Sequence, residues 1–342
     1  MARLIVVGDT HCRYDLLDAM IARELAADAG TSAVLHVGDL GLYDGGSLGR
    51  LSVRERGLIE KHRNPLHLAH AFLEGHARLG LPLVGIAGNH EDFFLVERLE
   101  RKENDLPGLT LLAPGEVVDV PLGERRLRVM GLGRIVAQAD TSHPRRAKYI
   151  QPEHLERAAT AGEAQPPDVL LLHDPPALML EGGRAPFGSQ PLTDLIARVR
   201  PGIVLCGHMH FEYATEVHGV PVRGLGYGAM GRYGVIGEDL RFEFRDRQGR
   251  PAAQRAVEPA PPPAPRAVRG DGHLQRAPLP VTAHGIVERF GLGRLDRRQR
   301  RALDGFLADL RRAFVAAGGM DEAEAWARAE GFVRGAGLGG DR

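Results

Sequence analysis

Cysteine is nearly absent from this chain of 342 residues, which has only Cys12 and Cys206. Two thiols are too few for a disulfide framework or a thiolate-built metal site, and they fit a reducing compartment. Net charge is also lacking: 44 basic residues balance 44 acidic ones, which excludes a surface that is basic throughout and clamps nucleic acid by charge alone. No apolar run approaches the roughly 20 residues of a membrane span. The opening run Leu4, Ile5, Val6, Val7 is too short for the core of a signal peptide. The expectation is a cytoplasmic protein that does not enter a membrane.

What remains is ordinary globular material, 43% hydrophobic and 26% charged, in a length that suits one large domain with an attachment. Short apolar runs at 4–7, 33–37, 83–87, 169–172 and 203–206 each stop at glycine or at an acid, amide or imidazole. Runs of this length, rich in Val, Ile and Leu and bounded by turn residues, read as strands buried on both faces. Residues 125–130 and 220–223 read as further strands. Helical spacing predicts helices over 15–29 and 64–79, the second with Pro65 at its first turn. The alternation implies an α/β layered unit over residues 1–246. A Pro-rich linker follows at 247–280, dense in proline between Pro259 and Pro265. Residues 281–342 form a helical extension, with Leu303, Phe306, Leu307, Leu310 and Phe314 at helical steps and Trp326 on a second helix. About 60 residues is small for an independent core, so the extension is expected to pack on the main unit or on a second copy, which leaves a homo-oligomer open.

The ends of the apolar runs supply Asp9 and His11, Asp39, Asn89 and His90, His173, and His208 and His210. Ligands of open α/β sheets bind outside the carboxyl ends of the strands, so these groups are expected to converge. Converging carboxylates repel and buried polar groups lose hydration, a cost that bound cations remove. Three oxygen-bearing side chains and four imidazoles suffice for two ions that share a carboxylate bridge. Mixed oxygen and nitrogen donors without thiolate suit Mn, Fe, Zn or Co better than Mg or Ca. Two such ions serve metal-assisted phosphoester hydrolysis.

In order along the chain, Gly8-Asp9-Thr10-His11, Gly38-Asp39, Gly88-Asn89-His90-Glu91, His173 after an apolar run, and Gly207-His208-Met209-His210 resemble the motif blocks of the calcineurin-like metallophosphoesterase superfamily. The resemblance implies a four-layer α/β sandwich, two central sheets flanked by helices, carrying a dinuclear centre. By matching positions, Asp9, His11, Asp39 and His210 would hold one ion. Asp39, Asn89, His173 and His208 would hold the other, with Asp39 shared. The ions would be divalent transition metals, manganese first. A metal-bridging hydroxide would attack phosphorus, and His90 would protonate the leaving oxygen. The second block continues Leu40-Gly41-Leu42-Tyr43-Asp44 and lacks the Asp and Arg of the protein Ser/Thr phosphatase branch.

Four residues near the motifs are candidates for contact with substrate or for support of the donors. Cys12 stands where the first block often has glycine, Asp44 and Glu91 are placed to orient His90 or a metal water, and Arg134 follows a strand and is a candidate for substrate phosphate. The leading expectation is a phosphodiesterase or phosphatase. One alternative is a nuclease or nucleic-acid end-processing phosphoesterase whose Arg-rich extension, with Arg294, Arg297, Arg298, Arg300, Arg301, Arg311 and Arg312, holds the backbone. The other is a metal-binding scaffold without catalysis.

Overall fold

The computed structural model describes residues 2–103, 106–138, 143, 146–182 and 186–260, with positions 299, 302, 303, 306, 307, 329, 330 and 333. Two six-stranded mixed sheets form its centre. In the first, β1 (Arg3–Val7), β2 (Thr31–His36), β3 (Leu83–Gly85) and β4 (Leu109–Leu111) run parallel. In the second, β5 (Val117–Leu122) pairs antiparallel with β6 (Arg125–Leu132), which runs parallel to β7 (Val169–Leu172). A short sheet contains β8 (Leu178–Leu180) and β9 (Pro186–Phe187). The second sheet continues through β10 (Ile203–Cys206) and β12 (Val220–Gly224), parallel to β7, with β11 (Tyr213–Val217) on its edge. The chain then returns to the first sheet, where β13 (Tyr233–Gly237) pairs antiparallel with β1 and is followed by β14 (Phe242–Arg245).

Period-two alternation sorts the strand side chains into layers. Leu4 and Val6, Leu35, Val169 and Leu171, and Ile203 and Leu205 meet in one cluster between the sheets. Their neighbours Ile5 and Val7 face outward onto α1 (Tyr14–Ala27), through Leu17 and Met20. On the other side Leu170, Leu172, Val204 and Cys206 pack against α6 (Pro152–Ala164) and α7 (Gln190–Val199). Helix, sheet, sheet, helix is the four-layer sandwich expected from the sequence. It explains why the strands read as continuous apolar runs, since both faces are covered.

Between β2 and β3 lie α2 (Ser47–Arg50), α3 (Val53–His62) and α4 (Leu66–Leu73). The helix expected over 64–79 is shorter than its apolar pattern suggests, because Gly75 at φ 76° turns the chain one residue beyond the C-cap Glu74. α5 (Phe93–Glu100) begins at Asp92, whose side chain accepts from the Phe94 N–H. Residues 247–260, assigned to the linker on composition, include β15 (Val257–Pro259), which pairs with β8.

The chain divides into two compact units, Met1–Pro262 and Pro263–Arg342. In the second, the described positions are helical, and Leu303, Ala329 and Val333 are buried. Leu310, Phe314, Trp326, the linker from 261 to 280 and the seven extension arginines lie outside the described residues. Among the described residues, no helix is long and apolar enough to cross a membrane.

Candidate metal centre

The parallel strands of both sheets end at one place. From the first sheet, β1 delivers Asp9 and His11, β2 delivers Asp39, and β3 delivers Asn89 and His90. From the second, β7 delivers His173 and β10 delivers His208 and His210. The loops that carry these residues are strained. Asp9 (φ 56°), His11 (45°), Asp39 (56°), His208 (70°) and His210 (59°) all hold left-handed backbone conformations. Such conformations cost about 1–3 kcal/mol each and cluster at functional sites, where surrounding structure enforces them. Here the enforcement comes from crossed hydrogen bonds. The Asp9 N–H donates to the Gly38 carbonyl, the His11 N–H to the Asp39 carbonyl, and the Ala229 N–H to the Asp9 carbonyl.

Asp39 is the centre of the arrangement. Its Oδ1 accepts the N–H groups of Asn89 and His90, both at 2.7 Å. Gly88 is required beside it, because a Cβ there would collide with Oδ1. Oδ2 is buried and has no hydrogen-bond partner, although His173 Nε2 lies 3.5 Å and His11 Nε2 3.7 Å away. One oxygen is thus anchored to backbone while the other is left at the middle of the cluster. Burial alone would raise the Asp39 pKa, but His173, His11 and His90 outweigh it and hold the carboxyl well below the usual range.

Donors surround that free oxygen on both sides. Asp9, His11 and His210 bring one donor atom each within 4.8 Å of one another, and so do Asp9, Asp39 and His173. Both Asp9 oxygens accept the His208 N–H, at 3.2 and 3.1 Å, and Oδ1 lies 3.2 Å from His210 Nε2. His173 Nδ1–H donates to the Val37 carbonyl at 2.8 Å, which turns Nε2 toward Asp39 and toward Asn89 Oδ1 at 3.0 Å. The His173 and His208 rings lie 5.1 Å apart. Burial lowers the pKa of His11, and burial with His173 lowers His208 to about 4, so both stay neutral with a lone pair free to coordinate. Burial opposes protonation of His173 too, yet Asp39 raises it to about 10, so a proton neutralises the carboxylate where a cation would otherwise do so. An unpartnered buried carboxylate oxygen among oxygen donors and imidazoles fits divalent transition metal.

His90 lines a cavity with two of the candidate ligands, His11 and His210, and with Tyr43 and Tyr227. Its carbonyl accepts the Tyr43 hydroxyl at 2.6 Å, and its ring lies 5.7 Å from that of His11.

Of the four supporting candidates, Glu91 lines this cavity and the other three lie outside it. Cys12 is buried in the core, with Sγ 3.7 Å from the Gly41 carbonyl, and burial pushes its thiol up. It therefore supports the loop and does not form the rim of the cleft. Asp44 accepts the Gly46 N–H and pairs with Arg50, away from His90. Glu91 does not orient His90; its carboxylate accepts the N–H groups of Leu40, Gly41 and Leu42 at 2.9, 3.1 and 2.6 Å and so shapes the turn behind Asp39. Burial and the Asp39 charge raise its pKa to about 8. Arg134 is buried in a fork with Glu100, at 2.7 and 2.8 Å, and donates to the Ala147 carbonyl, so it is a structural ion pair.

Two features escaped the sequence reading. Tyr227 stacks on His210 with centroids 4.3 Å apart and meets His11 edge-on at 5.5 Å. It follows β12, another parallel strand, so the rule that located the histidines also reaches it. His36 is fully buried behind the site, and its bonds fix one tautomer. Nδ1 accepts the Gly38 N–H at 3.2 Å, Nε2–H donates to Thr10 Oγ1 at 3.1 Å, and Thr10 donates to the Leu40 carbonyl at 3.3 Å. This chain of bonds ties the Asp9 loop to the Asp39 loop, and no spacing in the sequence announces it.

No curated protein matches the sequence. A solved structure 17% identical covers 71% of this chain and 98% of its own with a TM-score of 0.51. A Plasmodium inner-membrane-complex anchor, GAP50, is 10% identical over 74% of this chain and 87% of its own, with a TM-score of 0.48. A Thermus thermophilus protein is 16% identical over 72% of this chain and 98% of its own, with a TM-score of 0.46. At these identities the first shows a shared fold and nothing finer. The model of the calcineurin-like phosphoesterase family matches residues 2–212, and by that match, over a majority of its length and through the strand ends that carry the donors, the chain belongs to this family.

Proposed function

We propose that this chain is a dinuclear metal-dependent phosphoester hydrolase. The observation that carries the reading is Asp39 Oδ2, buried without a hydrogen-bond partner at the point where donors from both sheets meet. Asp9, His11, Asp39 and His210 would hold one ion, and Asp39, Asn89, His173 and His208 the other. Divalent cations there, manganese foremost, would supply Lewis-acid charge to the phosphoryl group and to the attacking water.

The chain's own residues do the rest. The backbone donors at Asn89 and His90 fix the shared carboxylate. Val37 fixes the His173 tautomer. Tyr227, stacked on His210, holds that ring in place on the half-exposed side of the site. His90, held through its carbonyl by Tyr43, delivers a proton to the leaving oxygen. The test is metal analysis with turnover: about two equivalents of manganese per chain and hydrolysis of bis-p-nitrophenyl phosphate are expected. Bound metal without turnover across mono- and diester substrates would favour a non-catalytic scaffold. Failure to bind metal would refute the reading outright.

A further inference from the structure

The donor cavity lined by His11, His90 and His210 encloses about 50 Å³, room for a few water-sized groups and so for a reacting phosphoryl group rather than a whole substrate. The body of the substrate must lie in what adjoins it. A cleft of about 290 Å³ shares Glu55 and Glu91 with the donor cavity and is lined by Arg50, Phe94 and Lys148. A further cavity of about 400 Å³ shares Arg146 and Ala147 with that cleft and is lined by His154 and Arg157. Shared lining residues place the three next to one another in a row that leads away from the candidate metal centre. The two outer volumes lie near or within the range of small-ligand sites.

The charges along this row are arranged unequally. Its acids have partners: Glu91 three backbone N–H groups, Asp92 Ser47 and Arg50, Glu97 Arg101, Glu100 Arg134, and Glu55 Ser52. Of its cations, Arg50, Arg101 and Arg134 are paired with acids, whereas Arg146, Lys148 and Arg157 form no ion pair among the described residues. Burial, helped by Arg134 and Arg157 and opposed by Glu153, holds the His154 imidazole below its usual range. In the middle of the row Phe94 is 54% exposed, with the guanidinium groups of Arg50 and Arg98 at 4.9 and 5.7 Å from its ring centre. An exposed ring with guanidinium groups over it, followed by cations outside ion pairs, is a mixture of aromatic and basic groups suited to the bases and successive phosphates of a single strand.

We propose that the substrate is a short single-stranded oligonucleotide, with its scissile phosphodiester in the small cavity, a flanking base at Phe94, and the following phosphates at Lys148, Arg146 and Arg157. This rests on the hydrolase reading above and names its substrate class. Hydrolysis consumes one water and breaks one P–O bond. The leaving oxygen takes a proton from His90, and the products are a phosphomonoester end and a hydroxyl end.

Binding and turnover test it separately. Fluorescence anisotropy of labelled octathymidylate in EDTA, with the full chain, should show affinity that falls with salt. Arg146→Glu with Arg157→Glu should weaken binding by about tenfold or more and lower the salt slope by about two. Phe94→Ala should weaken octathymidylate by about tenfold while leaving an abasic octamer unaffected. An abasic octamer bound as tightly as octathymidylate by the unaltered chain, or a double charge reversal that keeps both affinity and slope, overturns the proposal. With manganese present, each variant should lose at least fivefold more kcat/KM on octathymidylate than on bis-p-nitrophenyl phosphate. Turnover of the small diester but not of the octamer overturns the oligonucleotide assignment and leaves the hydrolase reading standing. Turnover of neither overturns both.

Discussion

The two central sheets contribute differently to the site they share. The first supplies every candidate oxygen donor, Asp9, Asp39 and Asn89, with His11 and His90 beside them, whereas the second supplies candidate imidazoles only, His173, His208 and His210. The oxygen side carries the negative charge and the densest backbone anchoring. The imidazole side carries groups pushed in opposite directions: Asp39 raises His173 against its burial, whereas burial and His173 lower His208. Neither sheet has a complete set alone, so the inter-sheet layer of Leu4, Val6, Leu35, Leu171 and Leu205 works as an alignment device as well as a core.

Breaking the oxygen side should cost most. Asp39→Ala removes the shared carboxylate and should lower kcat/KM by on the order of 10³-fold or more, with far-ultraviolet circular dichroism unchanged. His208→Ala, on the imidazole side, should lose at least tenfold less in the same assay; an equal loss would erase the distinction between the sides. His90→Ala should reduce turnover by about a hundredfold on poor leaving groups and much less on p-nitrophenyl esters. Equal losses on both would remove the proton-donor role. Leu171→Ala, between the sheets, should cost about 2–5 kcal/mol in denaturant unfolding and reduce activity only modestly below the unfolding midpoint.

The smallest effect concerns His36. Burial sets its folded pKa at about 3 against an ordinary 6.5, so the native state resists a proton that the unfolded chain accepts. Its contribution to stability is complete above pH 6.5 and is lost as pH falls from there toward 3. His36→Gln should start less stable at pH 8 and lose less between pH 6.5 and 4. Parallel stability–pH curves for the two proteins would show that another group controls the acid limb.

The strand ends were legible because burial on both faces makes a strand one apolar run, and the residue that ends the run stands at the mouth of the sheet. That signal located Asp9, Asp39, His173 and His208, and it extended to Tyr227 once Val220–Gly224 is treated as another parallel strand. What stayed hidden depends on contacts between loops far apart in sequence. Glu91 sits beside His90 in the chain, yet its carboxylate turns away to residues 40–42. Arg134 is committed to Glu100, a partner 34 residues distant. Cys12 points into the core because Gly41 packs against it, which no spacing encodes. The row through Phe94 and Arg146 was also invisible, because helices inserted between strands create it.

The order in which the chain is made gives the return of β13 another meaning. β1 emerges first and pairs on one side with β2, but its other side waits for residues 233–237, and the whole second sheet is translated in between. At ordinary synthesis rates that interval is roughly ten seconds or more. During it the nascent chain exposes an unpaired apolar edge of the kind that recruits other strands. The last strands of the unit close that edge, so a chain truncated before residue 233 would carry every proposed donor and still present an open edge to its neighbours.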